Sequence, residues 1–463
     1  MKKKVSAKKD WRKYWKLGVS EFNTQYFNVT KDGELTVKEG NYIYNIHQIV
    51  KKYGSSMEIV FPFILEDRLS DLIEYFDAYM KIYGYRGKFF YHYPMKVNQN
   101  KEFIMPLLSE GAHMEVTSAN ELYLIKKLWE GEKFHSKIRV LCNGPKTGAY
   151  LDLIIELKSK GLNIIPIAED EGELEDLVKI RGDIGVRVDL DMKADSRWDK
   201  KIDRFGISEK KVLALSKIKN LKIMHYHMGS QISTQKSLLE GVKRGFDIYA
   251  KMTKIHPNLD TLDIGGGMSI PYEKKKFYTA KIMANKIVKL LKKMSDKAGI
   301  RHPNLAVEWG QYVTAPAQMT IYKAIAEKPI YKGNAKSWYV IDGSFMNDLI
   351  DTWAIHQKWH VAPVNNANSK DLKRVWLAGS SCDSDDKYTA GGTYMLLPKL
   401  KDSGDQYIAV FDTGAYQDAL ASHHCLLSSP IKLIAQDGTI KVARKRETAE
   451  MVGKLFGWGN GDK

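Results

Sequence analysis

Between about residues 87 and 310, short apolar runs alternate with longer stretches of helical periodicity. The runs are KFFYHY, AHMEV, IRVLC, NIIPIA, IGVRVDL, LKIMHYHM, LDIG and LAVEW. Each has strand length, and none approaches the length of a membrane span. Between them, segments such as SANELYLIKKLWEG, EGELEDLVKI and AKIMANKIVKLLKKMSDKAG carry the spacing of a helix with one apolar face. Eight strands alternating with helices predict an α/β fold built on a (β/α)8 TIM-like barrel, which takes roughly 250 residues. A doubly wound open sheet is the alternative.

After Gln311 the rhythm changes. YVTAPAQMTIYKAI, SWYVIDG, KRVWLAGS, TYMLLP, QYIAVFDTG and PIKLIAQDGTIKVARKR read as strands separated by Gly, Asn and Asp turns, and ETAEMVGKLFG reads as a short closing helix. Ahead of the barrel, YFNVTKDGELTV reads as a hairpin turning at Asp32-Gly33. The expected organisation is an N-terminal segment (1–54) packing with the β-domain, a barrel (55–310), and an all-β C-terminal domain with a helix (311–463).

Composition adds exclusions. The chain has 463 residues, of which 44% are hydrophobic, with no run of 18 or more apolar residues. Its start, MKKKVSAKKDWRKYW, is basic but has no apolar core behind it, so no secretory signal is expected. Three cysteines, Cys142, Cys382 and Cys425, do not make a disulfide framework and point to a reducing, cytoplasmic setting. The net charge of +17 raises nucleic acid as a partner. The lysines, however, interleave with acids on helix faces, and no zinc-finger spacing or RNA-binding aromatic motif accompanies them. Solvated helix faces are the simpler reading, with no nucleic-acid or membrane partner.

In a barrel, chemistry gathers at the C-terminal ends of the strands. Those ends carry Lys96, Glu115, Asn143, Arg187, His225, His227, Asp263, Gly265 to Gly267, and Glu308. Three glycines directly after a strand, in LDIGGGMSI, let backbone N–H groups converge on an anion such as a phosphate. In HYHMGSQI, His225 and His227 are two apart and share a strand face. They are either two metal ligands lacking a third at convincing spacing or a flat imidazole suited to stacking on a ring. Ser230 follows, suited to a phosphate or hydroxyl contact. His423, His424 and Cys425 in SHHC are adjacent, which on a strand points them to opposite faces, so no metal site is expected.

YPMKVNQ, HYHMGSQ, DIGGGMS, VEWGQYV, GSSCDSDD and DTGAYQDA occur in a family order. The chain resembles the pyridoxal-phosphate decarboxylases of the alanine-racemase fold type over nearly its whole length. LCNGPKTGAYL and IDTWAIHQKW bring it nearest the biosynthetic arginine decarboxylase branch. The resemblance implies that Lys96 holds pyridoxal 5'-phosphate covalently, which asks for a desolvated lysine or one near cations. It implies that His227 stacks on the ring, that Gly265, Gly266, Gly267 and Ser230 hold the phosphate with Tyr416, and that Arg187 lies near the ring. Glu308 would face the pyridine nitrogen and keep it protonated. Cys382 would return a proton to the substrate's Cα as general acid, delivered across a homodimer from the partner chain.

For a guanidinium, planar bidentate pairing calls for carboxylates. Asp383 and Asp351 are the proposed receptors, with Asp348, Asp385 and Asp386 nearby in sequence. The implied reaction is L-arginine to agmatine and CO2 in polyamine biosynthesis. Ornithine, lysine or meso-diaminopimelate are alternative substrates, and a non-catalytic regulator is the reading from another class. One departure stands out: the family's Glu-x-Gly-Arg is here EWGQ, so neutral Gln311 stands where an arginine would meet the phosphate. A Mg²⁺ requirement is not legible in the sequence.

Overall fold

The structure is a computed structural model that describes residues 11–18, 26–132, 138–193, 195–197, 204–272, 278–401 and 404–459. The basic stretch at 1–10 lies outside them. The chain divides into two compact units: Glu66–Ile270 with Lys276–Val313, and Met1–Leu65 with Pro271–Lys275 and Thr314–Lys463.

The first unit is a closed barrel. Its strands are β1 (Phe89–Pro94), β2 (His113–Val116), β3 (Arg139–Cys142), β4 (Asn163–Ala168), β5 (Ile184–Asp189), β6 (Leu221–His225), β7 (Thr261–Asp263) and β8 (Asn304–Val307). Each pairs in parallel with the next, and β8 closes the ring on β1 through Leu305↔Phe89 to Val307↔Tyr91. All eight apolar runs of the sequence are barrel strands. Parallel strands covered on both faces read as continuous apolar segments, which is why they stand out. Leu141, Ile165, Ile167 and Ile223 form a buried cluster. His92 is fully buried close to His113 and Arg139, and burial pushes its pKa far below the ordinary histidine range.

The surrounding helices follow the same logic. In Ala280–Ala298, Met283, Ala284, Ile287, Val288 and Leu291 are buried, while Lys281, Lys286, Lys289 and Lys293 face solvent. Lysine faces of this kind carry much of the positive charge. Among the described residues, no helix is long and apolar enough to cross a membrane.

The second unit is β-rich. Its central strand, Gln318–Pro329, pairs antiparallel with Ser337–Ile341, Gln406–Phe411 and Met57–Val60. Ile431–Gln436 runs parallel to Met57–Val60 and turns back as Thr439–Arg444. The expected N-terminal hairpin is present, with Phe27–Val29 against Leu35–Glu39. Leu35 N donates to Val364 O at 2.8 Å, and Trp15 Nε1 donates to Leu396 O at 2.7 Å.

One expected strand changes. YVTAPAQMTIYKAI does not begin as a strand: Gly310–Thr314 is helical and Ala315–Ala317 is a 3-10 turn, so the strand starts only at Gln318. Tyr and Val favour strands, but Pro316 has no N–H for a ladder. The buried Arg68 guanidinium also captures the Tyr312 carbonyl, donating from Nε at 3.0 Å.

Within the β-rich unit, buried Lys432 lies between two buried carboxylates, paired with Asp418 and 3.4 Å from Glu58 Oε2. Removing the cation takes away the counter-charge that faces Asp418 in a dry interior, while Glu58 keeps Arg444 Nη2 at 3.2 Å. Lys432→Met is expected to destabilise this unit by about 3–5 kcal/mol, read as a lower urea midpoint, with Lys432→Met/Asp418→Asn recovering part of the loss.

Candidate active site

Lys96 sits where β1 ends, on the 3-10 turn Met95–Val97. Pro94 is the last residue of the strand. The turn is held from both sides: Tyr93 Oη donates to Asn98 O at 2.8 Å, and Asn98 N donates to Met95 O at 3.1 Å. Gly310 packs against it so closely that a Cβ there would meet Pro94 Cγ at 2.6 Å and Val97 Cγ2 at 2.8 Å. The expectation that Lys96 is desolvated is not met, because its side chain is exposed. Three residues of a 3-10 turn point about 120° apart; Met95 and Val97 take the buried directions, leaving Lys96 the outward one. Its charge still reaches the buried carboxyls of Glu115 and Glu308, lowering the pKa of both.

Those carboxyls belong to a buried network that the sequence did not reveal. Asn143 Nδ2 donates to Glu115 Oε1 at 2.8 Å and approaches Glu308 Oε1 at 3.4 Å. His225 Nδ1 lies 3.6 Å from Asp263 Oδ1 and 3.7 Å from Glu308 Oε1. Burial drives Glu308 above the ordinary carboxylate range; His225 and Lys96 pull it down, while Asp263 and Glu115 push it up. Burial likewise raises Glu115. Burial opposes charge on His225, yet Glu308 and Asp263 outweigh it and its pKa is raised. His225 therefore gathers two carboxylates far away in sequence rather than pairing with His227.

His227 lies beyond the end of β6, half-buried. Its Nδ1 accepts from Gly229 N at 3.0 Å, which orients the ring. With Arg187, Phe205 and Met228, it lines a small pocket. Arg187 is paired with Glu169 at 3.1 Å and lies over the Phe205 ring at 4.3 Å. The loop carrying Ser230 runs beside the glycines, since Ile232 N donates to Gly267 O at 3.0 Å. Gly267, at φ +109°, could not carry a Cβ without meeting Ile232 Cδ1 at 2.6 Å. Gly265 N donates to Asp263 Oδ1, and Gly265 O accepts from Glu308 N, both at 2.9 Å. The glycine loop and Glu308 are thereby fixed to one another.

The other expected site residues belong to the β-rich unit. Cys382 is exposed and Asp383 half-buried, on the loop before the Lys387–Tyr388 strand. Asp386 is not part of a solvated loop: it is buried, accepting from Phe345 N at 2.7 Å and Ser381 N at 3.2 Å. Asp385 is exposed. Asp348 is buried and accepts from Ser344 N at 3.0 Å, and burial raises its pKa to about 7. Asp351 is buried at the start of the short helix Asp351–Ala354, with Gln417 Nε2 donating to its Oδ2 at 2.9 Å. Tyr416, at φ +67°, is half-buried. The SHHC segment is a 3-10 turn at His424–Leu426 rather than a strand; His423 pairs with Glu447 at 2.8 Å and His424 with Asp383 at 3.3 Å.

Residues 69–315 match the family profile of the pyridoxal-dependent decarboxylases, in their pyridoxal-binding domain. The chain belongs to that family. It is 22% identical to the biosynthetic arginine decarboxylase of Bacteroides thetaiotaomicron, over 88% of this chain and 85% of that one. It is 26% identical to the arginine decarboxylase of Avena sativa, over 89% and 85%. Among solved structures it resembles the biosynthetic arginine decarboxylase of Campylobacter jejuni, with a TM-score of 0.78 and 19% identity over 90% of this chain and 87% of that one. It also resembles the diaminopimelate decarboxylase of M. jannaschii in complex with L-lysine, with a TM-score of 0.76 and 22% identity over 92% and 96%.

This decarboxylase depends on pyridoxal phosphate, and its residues fit the group. The cradle at Gly265–Gly267 suits a phosphate, His227 offers an oriented ring face, and Lys96 an exposed amine. Among the described residues, the buried atoms Asn143 Oδ1, His225 Nδ1 and Asp263 Oδ2 have no hydrogen-bond partner, consistent with a site built for polar chemistry.

The raised carboxyls set a stability trend. As pH rises above the ordinary Glu range, the unfolded chain releases its protons first, so stability falls until the raised pKa values are passed. His225, also raised, acts in the same direction. Cofactor-free Glu308→Gln is expected to lose less Tm than cofactor-free wild type between about pH 5 and about pH 8, measured by calorimetry.

Proposed function

We propose that this enzyme decarboxylates L-arginine to agmatine and CO2, feeding polyamine biosynthesis, as a cytoplasmic homodimer with shared active sites. The observation that carries the substrate is the reactive loop itself: the half-buried carboxylate of Asp383 adjoins Cys382, with Asp385 beside it. A guanidinium pairs with such carboxylates in bidentate fashion. The names of the relatives from Bacteroides thetaiotaomicron and Avena sativa support the same substrate.

When bound, pyridoxal phosphate supplies the electron sink for the pair released as the substrate's carboxylate leaves. Lys96 anchors the cofactor. Gly265, Gly266, Gly267 and Ser230 receive its phosphate together with Tyr416, and His227 and Arg187 flank the ring. Glu308 holds a proton at the pyridine nitrogen, with His225 keeping that carboxyl's charge in balance. Cys382 donates a proton from Sγ to Cα. Its thiol is held above the ordinary cysteine range, first by the hydrogen bond with Cys425, which suits an acid at neutral pH. Asp383 and Asp351 are the carboxylates proposed for the guanidinium, Asp383 being the more accessible.

The likeness to a diaminopimelate decarboxylase structure favours a second reading, the same chemistry on a diamino acid. A second substrate carboxylate would need cationic groups at the reactive loop, which instead is rich in aspartate. Trapped CO2 from L-arginine, L-ornithine, L-lysine and meso-diaminopimelate separates the two. Arginine is expected to dominate; inert arginine alongside active ornithine or diaminopimelate would refute the substrate assignment.

Lys96→Ala is expected to lose the visible absorbance band of the bound cofactor. Cys382→Ala should keep the band and lose about 100-fold in kcat. Mixing the two inactive variants tests the shared site. Random reassortment gives about half heterodimers, each with one intact site, and so about a quarter of wild-type activity. No recovery after subunit exchange would exclude sharing.

A further inference from the structure

Cys382 and Cys425 are 43 positions apart in sequence, yet their Sγ atoms lie 3.7 Å from one another. Both are exposed, while the third cysteine, Cys142, is buried. We propose that Cys382 and Cys425 form a modification site, a dithiol that a low-molecular-weight disulfide converts reversibly to an intramolecular disulfide. The inhibitory consequence rests on the reading of Cys382 as proton donor; the bond itself does not.

The meeting of the two sulfurs is built into the fold rather than left to two loose loops. One loop anchors both. From it, Asn347 Nδ2 donates to His424 O at 3.0 Å, and Asn347 Oδ1 accepts from His424 N and Ser422 Oγ, each at 2.9 Å. Two residues earlier, Phe345 N binds Asp386, which also receives Ser381 N beside Cys382. His424 Nε2 then spans directly to Asp383 Oδ2 at 3.3 Å. Each cysteine thus has an immediate neighbour tied to the other's segment or to a shared anchor.

The backbone gives a second, independent sign. Cys425 and Leu426 hold φ of +58° and +54°, successive left-handed residues that are not glycine. Such conformations are costly and persist where the surroundings impose them. Here they form the turn that presents Cys425 to Cys382. A disulfide needs sulfurs about 2.05 Å apart, so closure draws together two sulfurs now 3.7 Å apart, carried by a 3-10 turn and a loop rather than a strand.

The chemistry balances without a metal or oxygen. The thiolate of one cysteine attacks a sulfur of the small disulfide, forming a mixed disulfide and releasing one small thiolate. The second cysteine, as thiolate, attacks the protein sulfur of that mixed bond and expels the second small thiolate. Two protein thiols are oxidised, one disulfide is reduced, and the two protons pass to the departing thiolates. Because only the thiolate attacks, a thiol held protonated at neutral pH reacts slowly, and the rate rises with pH. In a reducing compartment the pair stays open and Cys382 keeps its proton.

The test incubates reduced holoenzyme with oxidised glutathione at about pH 8, maps peptides by mass without reduction, and follows CO2 release from arginine. The expected result is a Cys382–Cys425 linked peptide with a loss of activity of about 100-fold, restored by dithiothreitol. Cys425→Ser should give no linked peptide. Glutathione adducts alone, or links only between subunits, would overturn the site. A linked peptide with undiminished turnover would confirm the bond and instead overturn Cys382 as proton donor.

Discussion

Three carboxyl groups, Glu115, Asp263 and Glu308, are buried at one end of a barrel, and the rest of the site is arranged around that cost. An unpaired buried charge is penalised by several kcal/mol, so cations or protons must accompany it. The protein provides one fixed cationic group, His225, within 3.7 Å of two of the three. It also provides an exposed amine, Lys96, whose charge reaches Glu115 and Glu308. Asn143 joins Glu115 to Glu308, so a proton held by one alters the other. Lys96 acts on both Glu115 and Glu308, and His225 on Glu308, so the charge on Glu308 responds to what happens at Lys96.

That arrangement needs backbone placed to tenths of an ångström. The end of β8 is pinned to the glycine loop by Glu308 N on Gly265 O, and the Lys96 turn packs on Gly310 with no room for a methyl group. Side chains that must act on one ligand are thus carried by segments locked to each other through main-chain atoms. Rigid elements hold the constellation, and loops supply only the surfaces that meet the ligand.

Much of this was legible in the sequence. The barrel strands announced themselves because both faces are covered, and the strand ends identified the lysine, the glycines and Glu308 by position. What the sequence concealed was partnership. Asn143 and Glu308 are 165 residues apart, and no local pattern says that they touch. Glu115, Asn143, His225 and Asp263 were visible at strand ends, but nothing marked them as one network. The same limit explains Asp386, which the sequence shows only as one of several acids near Cys382 and which is a buried organiser of its loop. It also explains Gly310–Thr314, where strand-favouring residues take a helical turn because Arg68 holds the Tyr312 carbonyl. Local propensity decides an element only where tertiary partners do not.

The exposure of Lys96, against expectation, points to a shared design. In each unit an exposed reactive residue sits in a segment fixed by buried polar groups that bond the backbone of its neighbours. Tyr93 and Asn98 hold the turn of Lys96; Asp386 and Asn347 hold the segments of Cys382 and Cys425. Buried hydrogen bonds supply the precision, since leaving any of them unmade costs about 1–3 kcal/mol. Lys96 and Cys382 themselves stay exposed, where they can exchange protons and form bonds. A lysine sealed in the core would be well ordered but unable to meet its cofactor, and a thiol on an unanchored loop would reach many positions and hold none. Anchoring the backbone while leaving the tip exposed satisfies both demands at once.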